Sequence, residues 1–432
     1  MAKIPYFRWW IASLLFVATG LSFLDRQTLS TLAPTITRDL RLDNVAYSHV
    51  VSAFILSYTV MFTVGGRVID RLGLRLGFAI SAGIWGLASL LHSVAYSALS
   101  LGFFRFLLGV GEGGCFPGAT KAALEWFPRR ERALAVGLAN GGSAFGAVVA
   151  PPLAVCVSLH FGWRAAFLAT GGLDLLWLAA WLFFFRLPRE SRFVSAEELQ
   201  YITESGDGAA GEAMKAPGAP AEPLISWAKL LRLKEVWGFA LARFLLDPVF
   251  YFYMFWIPQY LSQTRHIPIA AIGKLMWIPF LTLGVSNFIA GWTSDRLVRA
   301  GWSVNAARKT LLGFGAFLTP FSILCIFAPS AQAAIALMSV LMFAHGFWIT
   351  NYMTLIGDLF PVKVVGSVVG LSGSAGGVGG ILSSLIIGVV VLHGSYSPLF
   401  VACGLLYPLG FAVILLAIRS VRQIDFSTTP SS

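Results

Sequence analysis

The chain has 432 residues, of which 57% are hydrophobic and only 12% charged, with a mean hydropathy of +0.76. A soluble globule of this size needs more charge to solvate its surface, so the composition excludes one and points into lipid. The net charge of +11 would suit a nucleic-acid partner, but in a polytopic membrane protein basic residues are orienting signals, and their placement decides the matter.

Run length and apolar patterning predict twelve membrane-spanning helices, at roughly 9–33, 47–69, 76–95, 99–124, 133–157, 164–186, 236–262, 270–297, 309–329, 332–358, 365–391 and 397–419. The first continues past Asp25-Arg26 with no small-residue cleavage site, so it is expected to stay in place and not to be removed as a signal peptide. Helical neighbours point about 100° apart, so Asp25 and Arg26 either neutralise each other or address different partners. A charge inside a span costs at least ~2.5–3.5 kcal/mol and a buried pair is seldom a net stabiliser, which favours a functional reason for both. In the second span, Tyr58 is a candidate hydrogen-bonding group for a polar substrate or a packing residue with a satisfied polar tip. The loop after it carries Gly66, Asp70, Arg71, Gly73 and Arg75. In the fourth span Arg105 and Glu112 lie two turns apart on one face with Gly109 between them, an arrangement that leaves backbone room for a small ligand. A guanidinium holds a carboxylate through two parallel hydrogen bonds, so Arg105 is the candidate for a substrate carboxylate. Glu112 is the candidate for the coupling proton, the alternative being that it merely balances Arg105.

Residues 187–234 form the longest polar stretch and include a glycine- and proline-rich linker. Ser195 with Glu198 matches a capping box opening a short surface helix, read as a connector without a function of its own. In the seventh span Arg243 and Asp247 are one turn apart and are expected to pair near its cytoplasmic start. In the tenth, His345 is either a structural hydrogen bonder or a proton or substrate contact, and Asn351 and Tyr352 either bond substrate hydroxyls or pack. The glycine-rich run from Gly370 to Gly380 is expected to serve close helix packing, not phosphate binding. Cys115, Cys156, Cys325 and Cys403 have no metal-ligand spacing, and neither metal nor cofactor is expected besides the coupling proton.

Of the 31 Lys and Arg residues, 23 fall in or beside the termini and the even-numbered connections, which places both termini in the cytoplasm by the positive-inside rule. The halves also repeat. Gly66 with Asp70-Arg71 is answered by Gly291 with Asp295-Arg296 at an offset of 225, and Glu125-Trp126-Phe127-Pro128 by Asp358-Leu359-Phe360-Pro361 at 233. Gly137 and Gly146 find Gly370 and Gly379 at 233, and Glu112 finds His345, which would face a shared cavity from the opposite half. Two matching six-helix bundles, 1–186 and 235–432, are what alternating access by a rocking motion needs. The carboxylate-arginine loops suit a cytoplasmic gating latch formed by Gly66, Asp70, Arg71, Arg75, Asp295 and Arg296.

On these motifs the all-α chain resembles the major facilitator superfamily over essentially its whole length. More narrowly, Phe23-Leu24-Asp25-Arg26, Arg105 with Glu112, Glu125-Trp126-Phe127-Pro128 with Glu131-Arg132-Ala133, and Ala150-Pro151-Pro152 resemble the anion:cation symporter family. Arg243-Phe244-Leu245-Leu246-Asp247-Pro248 and Phe343-Ala344-His345 look most like its hexuronate permease branch; galactonate, vesicular glutamate and sialic acid carriers are relatives. The resemblance implies Asp25 as a proton-coupling carboxylate, Arg26 at or near the anion site, and an aromatic hydroxyl, Tyr58, on that face. The glutamate carriers have an arginine where this chain has Leu246, which counts against glutamate as cargo.

The expected protein is therefore a proton-coupled symporter that imports a sugar acid, a hexuronate or aldonate. It is a monomeric, multi-pass inner-membrane carrier whose partners are the anion and the bilayer, with no nucleic acid. Rival readings are another carboxylate such as phthalate or tartrate, or export by antiport, which Ala150-Pro151-Pro152 in place of a Gly-Pro pattern disfavours. An enzyme would need a nucleophile, metal set or cofactor motif, and a channel would need repeated pore rings; the sequence offers neither.

Overall fold

The computed structural model describes residues 3–203 and 227–424, apart from the side chains of Thr63, Arg67, Asp70, Arg129, Arg130, Ala133, Trp227, Ala228, Val362 and Lys363. The described residues contain twelve helices long and apolar enough to cross a membrane, and no strand. Helices satisfy their own backbone groups, which hydrocarbon demands. The glycine- and proline-rich part of the predicted linker, 204–226, lies outside the described residues.

The first helix, α1 (Phe7–Asp39), runs beyond its predicted end, straight through Pro34, and Thr37 in its last turns donates its hydroxyl to the Ala33 carbonyl at 2.8 Å. It is followed by α2 (Asn44–Leu72) and α3 (Leu74–His92), joined at Gly73, whose φ of 80° is open to glycine at no steric cost. The fourth span is two helices, α4 (Ala98–Glu112) and α5 (Cys115–Trp126), broken at Gly113-Gly114. Then come α6 (Arg129–Phe161), α7 (Trp163–Phe184) and the surface helix α8 (Ala196–Thr203). After α9 (Trp227–Leu231), the seventh and eighth spans are also divided, into α10 (Lys234–Phe255) with α11 (Ile257–Gln263) and α12 (Ile269–Leu275) with α13 (Trp277–Arg299). The ninth, α14 (Val304–Leu318), passes into a 3-10 stretch, Thr319–Phe327, at Pro320, which lacks the N–H needed to extend the ladder. The last three are α15 (Ala331–Leu359), α16 (Val362–Leu392) and α17 (Ser397–Ala417). Phe288, Phe317 and Leu416 stand exposed on their helices, as side chains bathed in lipid do.

The helices form two compact units, Met1–Arg41 with Ala53–Glu222 and Leu42–Ser52 with Pro223–Ser432, so the opening turns of α2 belong to the second. Within that unit the Tyr47 hydroxyl donates to the Phe255 carbonyl at 2.9 Å. Each unit packs its first helix against its fifth through glycines, one of which the two units share in the repeat. A methyl group on Gly146 would overlap the Gly20 carbonyl, and one on Gly379 would overlap the Phe244 carbonyl. The two glycines are partners in the sequence repeat, so the repeat is a repeat of backbone contact.

The surface helix α8 is docked, not a bare connector. Ser195 Oγ accepts from the Glu198 N–H at 3.1 Å, the first half of the predicted capping box. The Glu198 carboxylate turns instead to α1, accepting from Phe7 N at 2.9 Å, Arg8 N at 3.2 Å and the Arg8 guanidinium at 3.0 Å. Arg8 also reaches Glu131 at 3.0 Å, which takes the Tyr201 hydroxyl at 2.7 Å.

Candidate functional site

The middle of α1 is polar where lipid-facing helices are apolar: Ser22, Asp25, Arg26 and Gln27 are all buried. Arg26 Nε donates to Glu112 Oε2 of α4 at 2.5 Å, and Ser22 Oγ donates to the same oxygen at 3.0 Å. Arg26 Nη2 also donates to Ser22 Oγ at 3.2 Å. Glu112 is thus the partner of Arg26, not the counterweight of Arg105. The angle between helical neighbours sends Asp25 elsewhere, to α3, where Ser89 Oγ donates to its Oδ1 at 2.7 Å. Asp25 and Arg26 do not satisfy each other. Arg105 Nη2 donates to the Arg26 carbonyl at 3.2 Å, so residue 26 links Arg105 to Glu112. Aromatic faces enclose the cations: the Arg26 guanidinium carbon is 4.2 Å from the Tyr58 ring centroid, 4.8 Å from Phe23 and 5.3 Å from Phe54, and that of Arg105 is 5.5 Å from Phe54. Gly109 does not leave room for a ligand as its spacing suggested. Its bare backbone is filled by α2, since a methyl there would strike Ser57 Oγ and the Phe54 carbonyl.

In the second unit the candidates separate into two groups. His345 is buried, with Nδ1 2.5 Å from the Tyr407 hydroxyl and its ring stacked on Phe250 at 4.8 Å. Asn351, two turns along α15, donates to the Phe347 carbonyl at 2.9 Å and accepts from Ser294 at 2.9 Å. The Tyr352 hydroxyl donates to the Phe239 carbonyl at 2.9 Å, which is the packing reading of that residue. Arg243 and Asp247 pair as expected, through three contacts of 2.7 to 2.9 Å, but in the middle of α10, not near its start. Gly376 explains the site: a methyl there would sit on the Asp247 carboxylate, so the glycine-rich helix α16 packs on the pair and cradles no phosphate.

A family model described as Major Facilitator Superfamily matches residues 15–306. The chain belongs to the major facilitator superfamily. It is 31% identical to the hexuronate transporter of Escherichia coli K12, over 98% of this chain and 97% of that one. It is 33% identical to the galacturonate transporter of Dickeya chrysanthemi over 74% and 90% of the two chains, and 28% identical to an Escherichia coli D-galactonate transporter over 95% of each. A bacterial homologue of the human lysosomal transporter Spinster, solved in an inward-facing, occupied conformation, shares the fold with a TM-score of 0.71 over 96% of both chains at 16% identity. This superfamily member is a multi-pass membrane carrier, not an enzyme.

Of the superfamily's two loop motifs, the first places Gly66 in α2 and Arg71 on the surface, while the Asp70 side chain lies outside the described residues. Arg75 donates to the Leu182 carbonyl at 2.5 Å. In the second, Asp295 and Arg296 are exposed, Arg296 lying 5.1 Å over the Trp292 ring, and among the described residues Asp295 makes no ion pair. The charge pair beside that motif is Arg308 with Asp358 at 2.9 Å; Arg308 also bonds Ser294, and through it Asn351. The repeat marks Asp358 in the sequence, but nothing there marks its partner Arg308, 50 residues away on another helix. Asp174, a fully buried carboxyl in α7, is marked only by being an acid inside an otherwise apolar run.

Proposed function

We propose that the chain imports a sugar-acid anion, a hexuronate or an aldonate, together with protons, by alternating access across the inner membrane. The observation that carries this reading is the closed Arg26–Glu112 pair beside Arg105. While Glu112 is ionised it occupies Arg26. A proton on Glu112 removes that charge and leaves two guanidiniums, each with a planar donor fork, to hold the substrate carboxylate. Once the anion leaves, Glu112 loses its proton and closes on Arg26 again, so anion and proton travel together. Asp25 is the second coupling carboxyl, and the aromatic faces of Tyr58 and Phe54 confine the cations. His345 and Asn351 are the contacts proposed from the second half, and the two loop motifs with Arg308–Asp358 are its gate. The names of the hexuronate, galacturonate and galactonate relatives support the substrate class.

Two measurements test it. Purified protein is heated with hexuronates, aldonates, tartrate, phthalate or glutamate, since a bound ligand raises the melting temperature. Proteoliposome uptake of the stabilising acid is then followed with and without a protonophore. Stabilisation by a sugar acid and collapse of uphill uptake by the protonophore are expected. Stabilisation by tartrate or phthalate alone would replace the substrate, and uphill uptake indifferent to the protonophore would remove proton coupling.

A further inference from the structure

The Asp25 and Asp174 carboxyl groups, from α1 and α7, are neighbours in a part of the first unit closed to water, Asp25 being joined through Ser89 to Thr170, one turn before Asp174 on α7. The closure has a backbone cause. A side chain on Gly86 of α3 would meet Asp174 Cβ, and one on Gly171 of α7 would meet Leu90 N and the Gly86 carbonyl, so α3 and α7 touch along their backbones beside the acids. Ser89 Oγ, 3.0 Å from Thr170 Oγ1, gives its hydrogen to Asp25 Oδ1. Among the described residues no directed hydrogen bond reaches Asp25 Oδ2 or either oxygen of Asp174, and the Trp85 indole N–H beside Asp174 is not aimed at it. Two ionised carboxylates cannot sit side by side in that setting, because the site is closed to water and, among the described residues, Ser89 is the one directed donor that reaches them.

We propose that Asp25 and Asp174 share one proton and act together as a proton-carrying pair, so that Asp174 is a positioning residue for the coupling carboxyl Asp25. The inference rests on the proton-symport reading above. A single proton held between facing carboxyls forms a short charge-assisted O–H···O bond, and the pair titrates as a unit. The surrounding groups set what it does. Arg105 of α4 is the cation that acts on Asp25, and Glu112 of α4 is a further negative neighbour of Asp174. Arg26, next to Asp25 on α1, is engaged by Glu112. His92 of α3 holds Nδ1 2.6 Å from the Ala88 carbonyl and stacks on Phe167 of α7. From α6, Glu131, Arg132 and His160 lie in or beside its first and last turns, away from its middle. With one proton the pair carries one negative charge, which balances Arg105. A second proton makes it neutral and releases Arg105 to an anion, which ties substrate capture to proton uptake at a place distinct from Glu112.

The test is the pH profile of uphill uptake in proteoliposomes, beside exchange of labelled for unlabelled substrate, which moves no net charge. In Asp174→Asn an amide donor replaces the stronger acid donor, and in Asp174→Val no donor remains. Asp25 then holds its ionised form less firmly, so the profile should shift to higher pH, further in Val than in Asn and by about one pH unit. Exchange should persist, and Asp174→Glu should restore the wild-type profile. An unshifted profile, or a shift to lower pH as expected from removing a second ionised neighbour, overturns the proposal. Should these variants not fold, the infrared band of a protonated carboxyl, read in a Glu112→Gln background, takes their place. The band should persist into alkaline solution, and its absence there overturns the pair. Failure of proton symport itself is read separately, as wild-type uptake indifferent to a protonophore, and the infrared band does not depend on it.

Discussion

The two units repeat each other in backbone and oppose each other in charge. At the repeat offset of 233, Glu112 answers to His345, Arg105 to Met338 and Asp174 to Tyr407. The equivalence is structural as well: Gly171 packs on Leu90 as Gly404 packs on Ile323, at the same offset. Where Arg26 meets Glu112 in the first unit, the ring of Phe250 lies on His345 in the second. Where Asp174 faces Asp25, the Tyr407 hydroxyl faces His345. An ancestral bundle can thus keep its glycine contacts, which fix the helices, while the polar positions between them diverge. On the proposed reading the first unit serves protons and anions, while the second carries rings and hydroxyls at the equivalent positions of the repeat.

The strongest way to break this comparison is at Arg105. Arg105→Ala should weaken binding of the sugar acid about 100-fold, close to 3 kcal/mol, the cost of losing a desolvated charge-assisted contact. The equivalent change Met338→Ala should leave affinity within about twofold, since it removes no charge. Calorimetric titration reads both. If affinity survives Arg105→Ala, the anion is held outside the first unit's charge cluster.

Next in size is the contrast between Glu112→Gln and His345→Asn. The first removes the titrating group that closes on Arg26, so uphill accumulation should vanish while substrate exchange continues. The second removes a ring bonded to Tyr407 and stacked on Phe250, and should slow exchange and accumulation alike without uncoupling them. Loss of accumulation alone in His345→Asn would place coupling in both units.

The glycines sharpen the other half of the comparison, the part that is alike. Gly146→Val and Gly379→Val should each destabilise the protein by about 1–3 kcal/mol, because each forces a branched side chain into a facing carbonyl. Thermal unfolding in detergent should give similar losses for the two. A large loss at one and none at the other would mean that the repeat is not one of contact.

What the sequence made legible follows the same division. The twelve spans, their order and the shared glycines were readable because run length and spacing are one-dimensional properties, and so was the pairing of Arg243 with Asp247, one turn apart on one helix. Partners on different helices were not. Glu112 was weighed against Arg105, its neighbour along α4, while the fold gives it Arg26 of α1. Gly109 looked like space because the Ser57 side chain that fills it comes from α2. Asp174 has no charged neighbour on its own helix, so nothing local marked it, and Asp358 was seen as a repeat without its Arg308. The breaks at Gly113-Gly114 and Trp256 divide spans whose hydropathy runs on unbroken.

The smallest effect is expected at Glu198, where the units differ in how their first helices begin. In the first unit, Glu198 takes the two leading N–H groups of α1 and the Arg8 guanidinium. In the second, α10 begins at Leu233 with no side-chain cap and only Glu235 in its first turn. A carboxylate on a helix N-terminus supplies acceptors that the helix itself lacks and meets the positive end of its dipole, together worth about 1 kcal/mol. Glu198→Ala should therefore release α8 while leaving α1 in its bundle, because Arg8 keeps Glu131 and the buried face of α1 is untouched. Chymotryptic cleavage at Tyr201 should speed up several-fold, about the factor of five that 1 kcal/mol gives when opening precedes cutting, with transport unchanged. Unaltered cleavage would mean that α8 is held instead by the Tyr201 hydroxyl on Glu131 and the Arg8 guanidinium over the Tyr201 ring.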